Sequence, residues 1–218
     1  MATTTERAAG RPKGDSDARN RLINSALVLF GANSFAQVST RELARHAEVD
    51  AAMIRYYFGS KLGLFESMVR ETLAPVLASL KSIPAAAAPQ DLASLMQTYY
   101  QVMAPNPALP RLIVRVLHEP EQSEQQRILL DVFSQIMDLS RQWLAQGLVK
   151  SGQLREGVNP ELARLSLISL MVFPLIAPPV LIKQFGVDIN PDILSDLVKH
   201  NVGVLQQGLL QPHAQEEQ

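Results

Sequence analysis

Apolar residues recur at three- and four-residue spacing along most of the chain, and no stretch of useful length alternates apolar with polar. The pattern predicts helices and no strands. Leu22, Ala26, Leu29 and Phe30 mark the buried face of a first helix over about residues 18–30, and Gly31 is placed to end it. A second helix carries a full set of start signals. Ser39 can cap it, Glu42 stands three residues on, and Val38 and Leu43 hold the staple positions. It runs to about residue 46 or 47. Asp50 then caps a short third helix, about 51–58, with Val49 and Ile54 as a second staple pair and Gly59 as its end. Ser60 caps a fourth helix, about 61–80, striped by Leu64, Phe65, Met68, Val69 and Leu73.

Prolines bracket a linker at 84–89. Further helices are expected at about 90–103, 109–118, 122–150, 160–183 and 191–209. The fold class is therefore all-α, with an N-terminal three-helix helix-turn-helix domain followed by a larger helical ligand-binding and dimerisation domain. The expected divisions are a flexible basic arm at 1–18, the helix-turn-helix domain at 19–62, the helical body at 63–211 and a flexible tail at 212–218. Leu165 to Ile182 is an uncharged run of 18 residues, which reaches the length of a membrane helix. Pro174, Pro178 and Pro179 interrupt it, and no cluster of Arg or Lys flanks it. It is read as a buried, kinked helix and not as a membrane span.

Composition narrows the chemistry. An apolar fraction of 47% supports a real core. The chain has no cysteine, so disulfides, thiolate zinc sites and cysteine nucleophiles are excluded. The first residues have no apolar stretch of the kind a signal peptide needs, and a cytoplasmic location is expected. There is no clear nucleophile–base–acid set, no HExxH and no glycine-rich phosphate loop, so no catalytic residues, cofactor or enzyme activity are assigned. His118 and Glu119 are adjacent and would point in different directions on a helix, so no metal site is assigned either. The net charge of −1 hides an uneven distribution. Residues 1–70 hold ten Arg and Lys against seven Asp and Glu, and residues 71–218 hold ten against fourteen. Only the first part has the sign that a phosphate backbone attracts.

Two helices joined by a tight turn and packed on a preceding helix are a device for placing one short helix in the major groove of double-stranded DNA. The third helix is the recognition helix of this reading. Ala51, Ala52 and Met53 would face base edges, where small side chains permit close approach and methyl groups meet thymine. Arg55 can make a bidentate contact with guanine and is the leading base reader. Tyr56 and Tyr57 would reach phosphates through their hydroxyls. Ser39, Thr40 and Arg41 lie at the start of the second helix, where free amides and the helix dipole favour an anion. Lys61, in the first turn of the fourth helix, opposes the dipole there and is expected to reach a phosphate. Arg11 and Lys13 form an arm for a neighbouring minor groove.

In order, Gly10 to Gly14, Ala26 to Phe35, Ser39 to Val49 and Ile54 to Met68 resemble the N-terminal domain of the TetR family of transcriptional regulators. The likeness covers about residues 10–68. The family's recognition helix often has a tyrosine where this chain has Arg55 and a histidine where it has Tyr57. The resemblance implies a dimer on a palindromic operator, usually a repressor, released by a small molecule bound in the C-terminal domain. It also implies a dimer contact built from the last two long helices. Leu162, Leu165, Leu167, Ile168, Leu170, Met171, Val172 and Phe173 make the first of these apolar over much of its surface, so it must bury more than one face.

The small-molecule effector is not identified by the sequence. Candidates for its pocket, on the fourth to eighth helices, are Leu73, Leu77, Tyr99, Met103, Leu112, Val116, Phe133, Met137 and Phe173. The mix is apolar with few polar anchors and favours a hydrophobic or amphipathic effector. Two other classes compete with this reading: a helical adaptor using its head for protein contacts, and a helical enzyme with an apolar pocket. Salt-dependent binding to duplex DNA separates the adaptor from the regulator.

Overall fold

The computed structural model describes residues 13–82, 88–106, 108–119, 123–150 and 152–211. Among them run α1 (Lys13–Ala32), α2 (Thr40–His46), α3 (Ala52–Phe58), α4 (Lys61–Ser82), α5 (Ala88–Met103), α6 (Ala108–Leu117), α7 (Glu124–Leu144), α8 (Pro160–Ile176), α9 (Pro179–Gln184) and α10 (Pro191–Leu209). The only extended pairing among the described residues is an isolated bridge between Leu154 and Leu210. The chain divides into two compact units, Met1–Met68 and Val69–Gln218.

In the first unit the capping residues act as their spacing predicts. The Glu42 amide donates to Ser39 Oγ (3.1 Å), the Ala52 amide to Asp50 Oδ1 (2.7 Å) and the Gly63 amide to Ser60 Oγ (3.0 Å). Each bond satisfies an amide that the first turn of a helix leaves without a partner. Leu22, Ala26 and Phe30 of α1 are buried with Leu43 and Ala44 of α2, Ile54 of α3, and Leu64, Phe65 and Met68 of α4. Phe30 stacks on Phe35 at 5.3 Å, and Phe65 meets both rings edge-on at 5.5 and 5.7 Å. This explains why the unit extends to Met68 and not to residue 62. The first two turns of α4 supply part of its core. The helix α1 also differs from expectation. It begins at Lys13, so residues 13–18 are helical and not a free arm, and it runs through Gly31 to Ala32. Arg11 lies outside the described residues, as do most of the 84–89 linker and the 212–218 tail.

In the second unit, α5 packs along α10, and α6 packs on α7 and α8. Buried Leu92, Met96 and Tyr100 of α5, Leu112 of α6, Leu129 of α7, Leu167 and Met171 of α8, and Leu194 and Val198 of α10 form the core. The single helix expected over 160–183 is two helices. Ala177 (φ −60°, ψ 142°) and Pro178 (φ −55°, ψ 132°) are extended between α8 and α9. Each precedes a proline, whose ring keeps its predecessor out of the helical region. The segment is not fully buried either. Leu162, Leu165, Phe173, Val180 and Leu181 are all exposed. Likewise the expected 122–150 helix ends as α-helix at Leu144 and continues as one π-helical turn, Ala145–Val149.

Pro174 sits inside α8. It has no amide hydrogen, so the Leu170 carbonyl four residues earlier has no helical donor. Two side chains replace it: Tyr100 Oη donates to Leu170 O at 3.3 Å, and Asn201 Nδ2 donates to the same oxygen at 3.2 Å. Asn201 is buried. No described helix is long and apolar enough to cross a membrane.

Candidate nucleic-acid interface and ligand cavity

The helix α2 is tied to α1 by a 2.9 Å bond between His46 Nδ1 and Ser25 Oγ. The turn into α3 passes through Glu48, which holds φ 53° although it is not a glycine. The helix α3 turns Ile54 inward and leaves Ala51, Ala52, Arg55 and Tyr56 exposed. Ala52, Arg55 and Tyr56 stand at i, i+3 and i+4, so they form one outward strip. Met53 is half-buried at the edge of this strip. The strip is stiffened from behind by rings. Tyr56 meets Tyr57 edge-on at 4.8 Å, Tyr57 meets Phe58 at 6.0 Å, and the Arg19 guanidinium lies 5.3 Å from the Phe58 centroid. Thr40 and Arg41 are exposed at the start of α2, and so is Ser39. The Ser39 oxygen accepts the Glu42 amide, which leaves its hydroxyl proton for another acceptor. Lys13 stands at the first position of α1.

Lys61 does not behave as expected. Its ammonium donates to Phe35 O and Val38 O, both at 2.9 Å, and lies 4.2 Å from the Phe35 centroid. Burial pulls its pKa below the usual lysine value. The carbonyls of the α1–α2 loop take the place of the external phosphate. Lys61 is a strut that holds the loop leading into α2, an arrangement that differs from the phosphate contact expected of it. Gly63 carries a constraint that no sequence pattern marks. A Cβ there would collide with the Phe58 carbonyl oxygen and lie 3.2 Å from its carbon, so only glycine lets α4 start this close to the end of α3.

A cavity of about 830 Å³ opens in the second unit. It is walled by Tyr100 of α5, Arg111 of α6, Leu175 of α8, Ile182 and Lys183 of α9, and Leu194 and Val198 of α10. None of the nine residues proposed from the sequence lines it. Leu73, Tyr99, Met103, Leu112 and Val116 are buried core, Leu77, Phe133 and Met137 are half-buried, and Phe173 is exposed. The physical reason is where the helices stop. Pro105, Pro174, Pro179 and Pro191 all line the cavity. Helix ends cannot interdigitate as helix middles do, and the gap collects there. The proline positions are the signal of this gap that the sequence carries. Among the described residues no three His, Cys, Asp or Glu side chains come together as a metal site.

A short exposed helix, carried on two others by a common core and stiffened by a ring cluster, defines a helix-turn-helix head. Residues 22–68 match the family model "Bacterial regulatory proteins, tetR family". The chain is 43% identical over 53 residues to the "Probable HTH-type transcriptional regulator YttP" of Bacillus subtilis (strain 168), covering 24% of this chain and 26% of that one. It is 28% identical over 120 residues to the HTH-type transcriptional regulator BetI of Agrobacterium fabrum, covering 53% and 57%. These matches span between about a quarter and just over half of the curated relatives. The transcriptional regulator FadR from Bacillus subtilis, solved in complex with stearoyl-CoA, has the same fold, with a TM-score of 0.65 at 20% identity over 87% of this chain and 98% of that one. Residues 22–68 are thus similar to the DNA-binding domain of the TetR family of transcriptional regulators.

Proposed function

We propose that the chain binds a palindromic duplex operator as a homodimer, represses from it, and is released by a small hydrophobic or amphipathic effector. The observation that carries this reading is the outward strip of α3. Ala51 and Ala52 bring the helix backbone close to base edges, Met53 at the edge offers a methyl contact, and Arg55 supplies a bidentate donor set. Tyr56, Tyr57, Ser39, Thr40 and Arg41 surround it as phosphate contacts, and Arg11 and Lys13 serve a neighbouring minor groove. A cytoplasmic location follows from a DNA target.

The dimer is supported by surplus apolar surface. Of the twelve large apolar side chains that stand exposed among the described residues, seven lie between Leu162 and Val204. Leu162, Leu165 and Phe173 share the outer side of α8, and such a patch marks an interaction surface. The cavity supports an effector. The similarly folded FadR was solved with stearoyl-CoA, so a body of this shape can accept a long apolar ligand.

The test compares Arg55→Ala with Tyr56→Phe on duplexes enriched from a randomised pool. Loss of a bidentate base contact should remove about 1–3 kcal/mol of discrimination at one base pair. Loss of a phosphate contact should lower affinity evenly across sequences. Uniform weakening by Arg55→Ala would leave base reading to Met53 and the alanines. Absence of any salt-dependent duplex binding by the wild type would overturn the regulator reading.

A further inference from the structure

The walls of the cavity separate by chemistry. Leu175, Ile182, Leu194 and Val198 make an apolar surface, while Arg111, Lys183 and Asp188 are the charged part of the lining. Two cations against one carboxylate invert the local sign, because residues 71–218 as a whole hold ten basic against fourteen acidic side chains. Neither Arg111 nor Lys183 is paired with a carboxylate among the described residues. Other cations of this unit are: Arg70 with Asp131, Arg164 with Glu161, and Lys199 with Asp196. The Tyr100 hydroxyl, which also lines the cavity, is already committed to the Leu170 carbonyl. Gln97, Gln101, Asn190 and Ser195 add neutral polar groups to the lining, so any selection by charge falls to the two cations and Asp188. A cleft with apolar walls and excess positive charge concentrates anions.

We propose that this cavity binds an amphipathic anion, with an apolar chain against Leu175, Ile182, Leu194 and Val198 and a carboxylate or phosphate headgroup answered by Arg111 and Lys183. The proposal rests on the reading of the second unit as the effector-binding part of a regulator. A neutral chain leaves both cations without a partner. A cationic one has Asp188 alone to meet and two like charges to oppose it.

The experiment is isothermal titration of the full chain with decanoate, decyl phosphate, decanol and decylamine, each below its micelle concentration and at fixed ionic strength. At least one of the anions should bind about tenfold tighter than decanol, the equivalent of one well-placed charged contact. Decylamine should bind more weakly than decanol. The stronger of decanoate and decyl phosphate identifies the headgroup. The double variant Arg111→Gln, Lys183→Gln should lose that preference while its affinity for decanol is unchanged. Lys150→Gln, outside the lining, should keep the preference. Decanol binding as tightly as both anions would overturn the proposal, as would decylamine binding tightest, an anion preference that survives the double variant, or no binding by any of the four. DNA affinity is measured in parallel by anisotropy. Failed ligand binding with intact DNA binding sinks this proposal alone, whereas failed DNA binding by the wild type sinks the regulator reading.

Discussion

Gly63 lies against the Phe58 carbonyl with no room for a Cβ between them, so the last turn of α3 and the first turn of α4 are set by a backbone-on-backbone contact. Alanine inside a helix ordinarily gains up to ~1 kcal/mol over glycine. Here Gly63→Ala should instead lose about 1–3 kcal/mol, because α4 must move away from α3. DNA affinity should fall with it, since α3 loses its support. Urea denaturation of the full chain checks the sign. A stabilised variant would mean that the contact relaxes at no cost.

Lys61 offers a distinction between strut and phosphate contact. A side chain that neutralises a phosphate contributes roughly 0.9 to the slope of log K against log salt. Lys61→Met should leave that slope unchanged, because the ammonium is already spent on Phe35 O and Val38 O. It should still lower the stability of the head by about 1–3 kcal/mol, the usual loss for hydrogen bonds from a charged donor. DNA titrations at several salt concentrations give the slope, and thermal unfolding gives the stability. A shallower slope with unchanged stability would restore Lys61 to the DNA interface.

Burial pushes the Tyr100 hydroxyl from an ordinary value of 10.0 up to about 12, partly offset by the bond from Asn201. Burial and the neighbouring Tyr100 also raise Tyr99. A raised folded value means that the unfolded chain loses the proton first. The stability from Tyr100 is complete below pH ~10 and is lost as pH rises through about 12. Its size is roughly 2–3 kcal/mol, taking 1.36 kcal/mol for each pH unit of displacement. Tyr100→Phe should be less stable at pH 8, through loss of a bond to Leu170 O, and should lose less on going alkaline. Paired urea titrations from pH 8 to 12 should show the gap between wild type and variant closing. A constant gap would show that the hydroxyl does not titrate in that range.

The exposed side of α8 carries the dimer prediction. Leu165→Asp combined with Phe173→Ser replaces two exposed apolar side chains, so the monomer should fold as before. Sedimentation equilibrium at micromolar concentration should show a dimer for the wild type and a monomer for the double variant. A monomeric wild type would remove the palindromic geometry from the argument.

Local signals were legible where the chain's own neighbours complete them. Ser39, Asp50 and Ser60 cap the amides that their spacing indicates, because a cap closes within three residues. The outward residues of α3 were legible for the same reason, since helical spacing alone places Arg55 and Tyr56 together. What depended on distant partners was not. The carbonyls that hold Lys61 lie 26 and 23 residues before it, and no periodicity reports them. Nor does any pattern show that Gly63 faces a carbonyl or that Glu48 turns left-handed. Apolar stripes mark residues that become core, whereas the cavity opens near helix ends, which no periodicity reports. The proline pair at 178 and 179 was visible, but its effect was underestimated as a kink.

The helix α8 carries a defect that it cannot repair from its own sequence. The donors that complete the Leu170 carbonyl come from Tyr100, 70 residues away, and Asn201, 31 residues away. Helical segments can flicker into shape locally in about a microsecond, but this one is fully bonded only once α5 and α10 have closed around it. That imposes an order on folding. The head, whose caps are satisfied within three residues, should acquire amide protection early. The residues around Leu170 should acquire theirs late and together with those of α5 and α10, a sequence that pulsed hydrogen exchange can follow. Protection at Leu170 ahead of α10 would show that the helix tolerates the unfilled carbonyl.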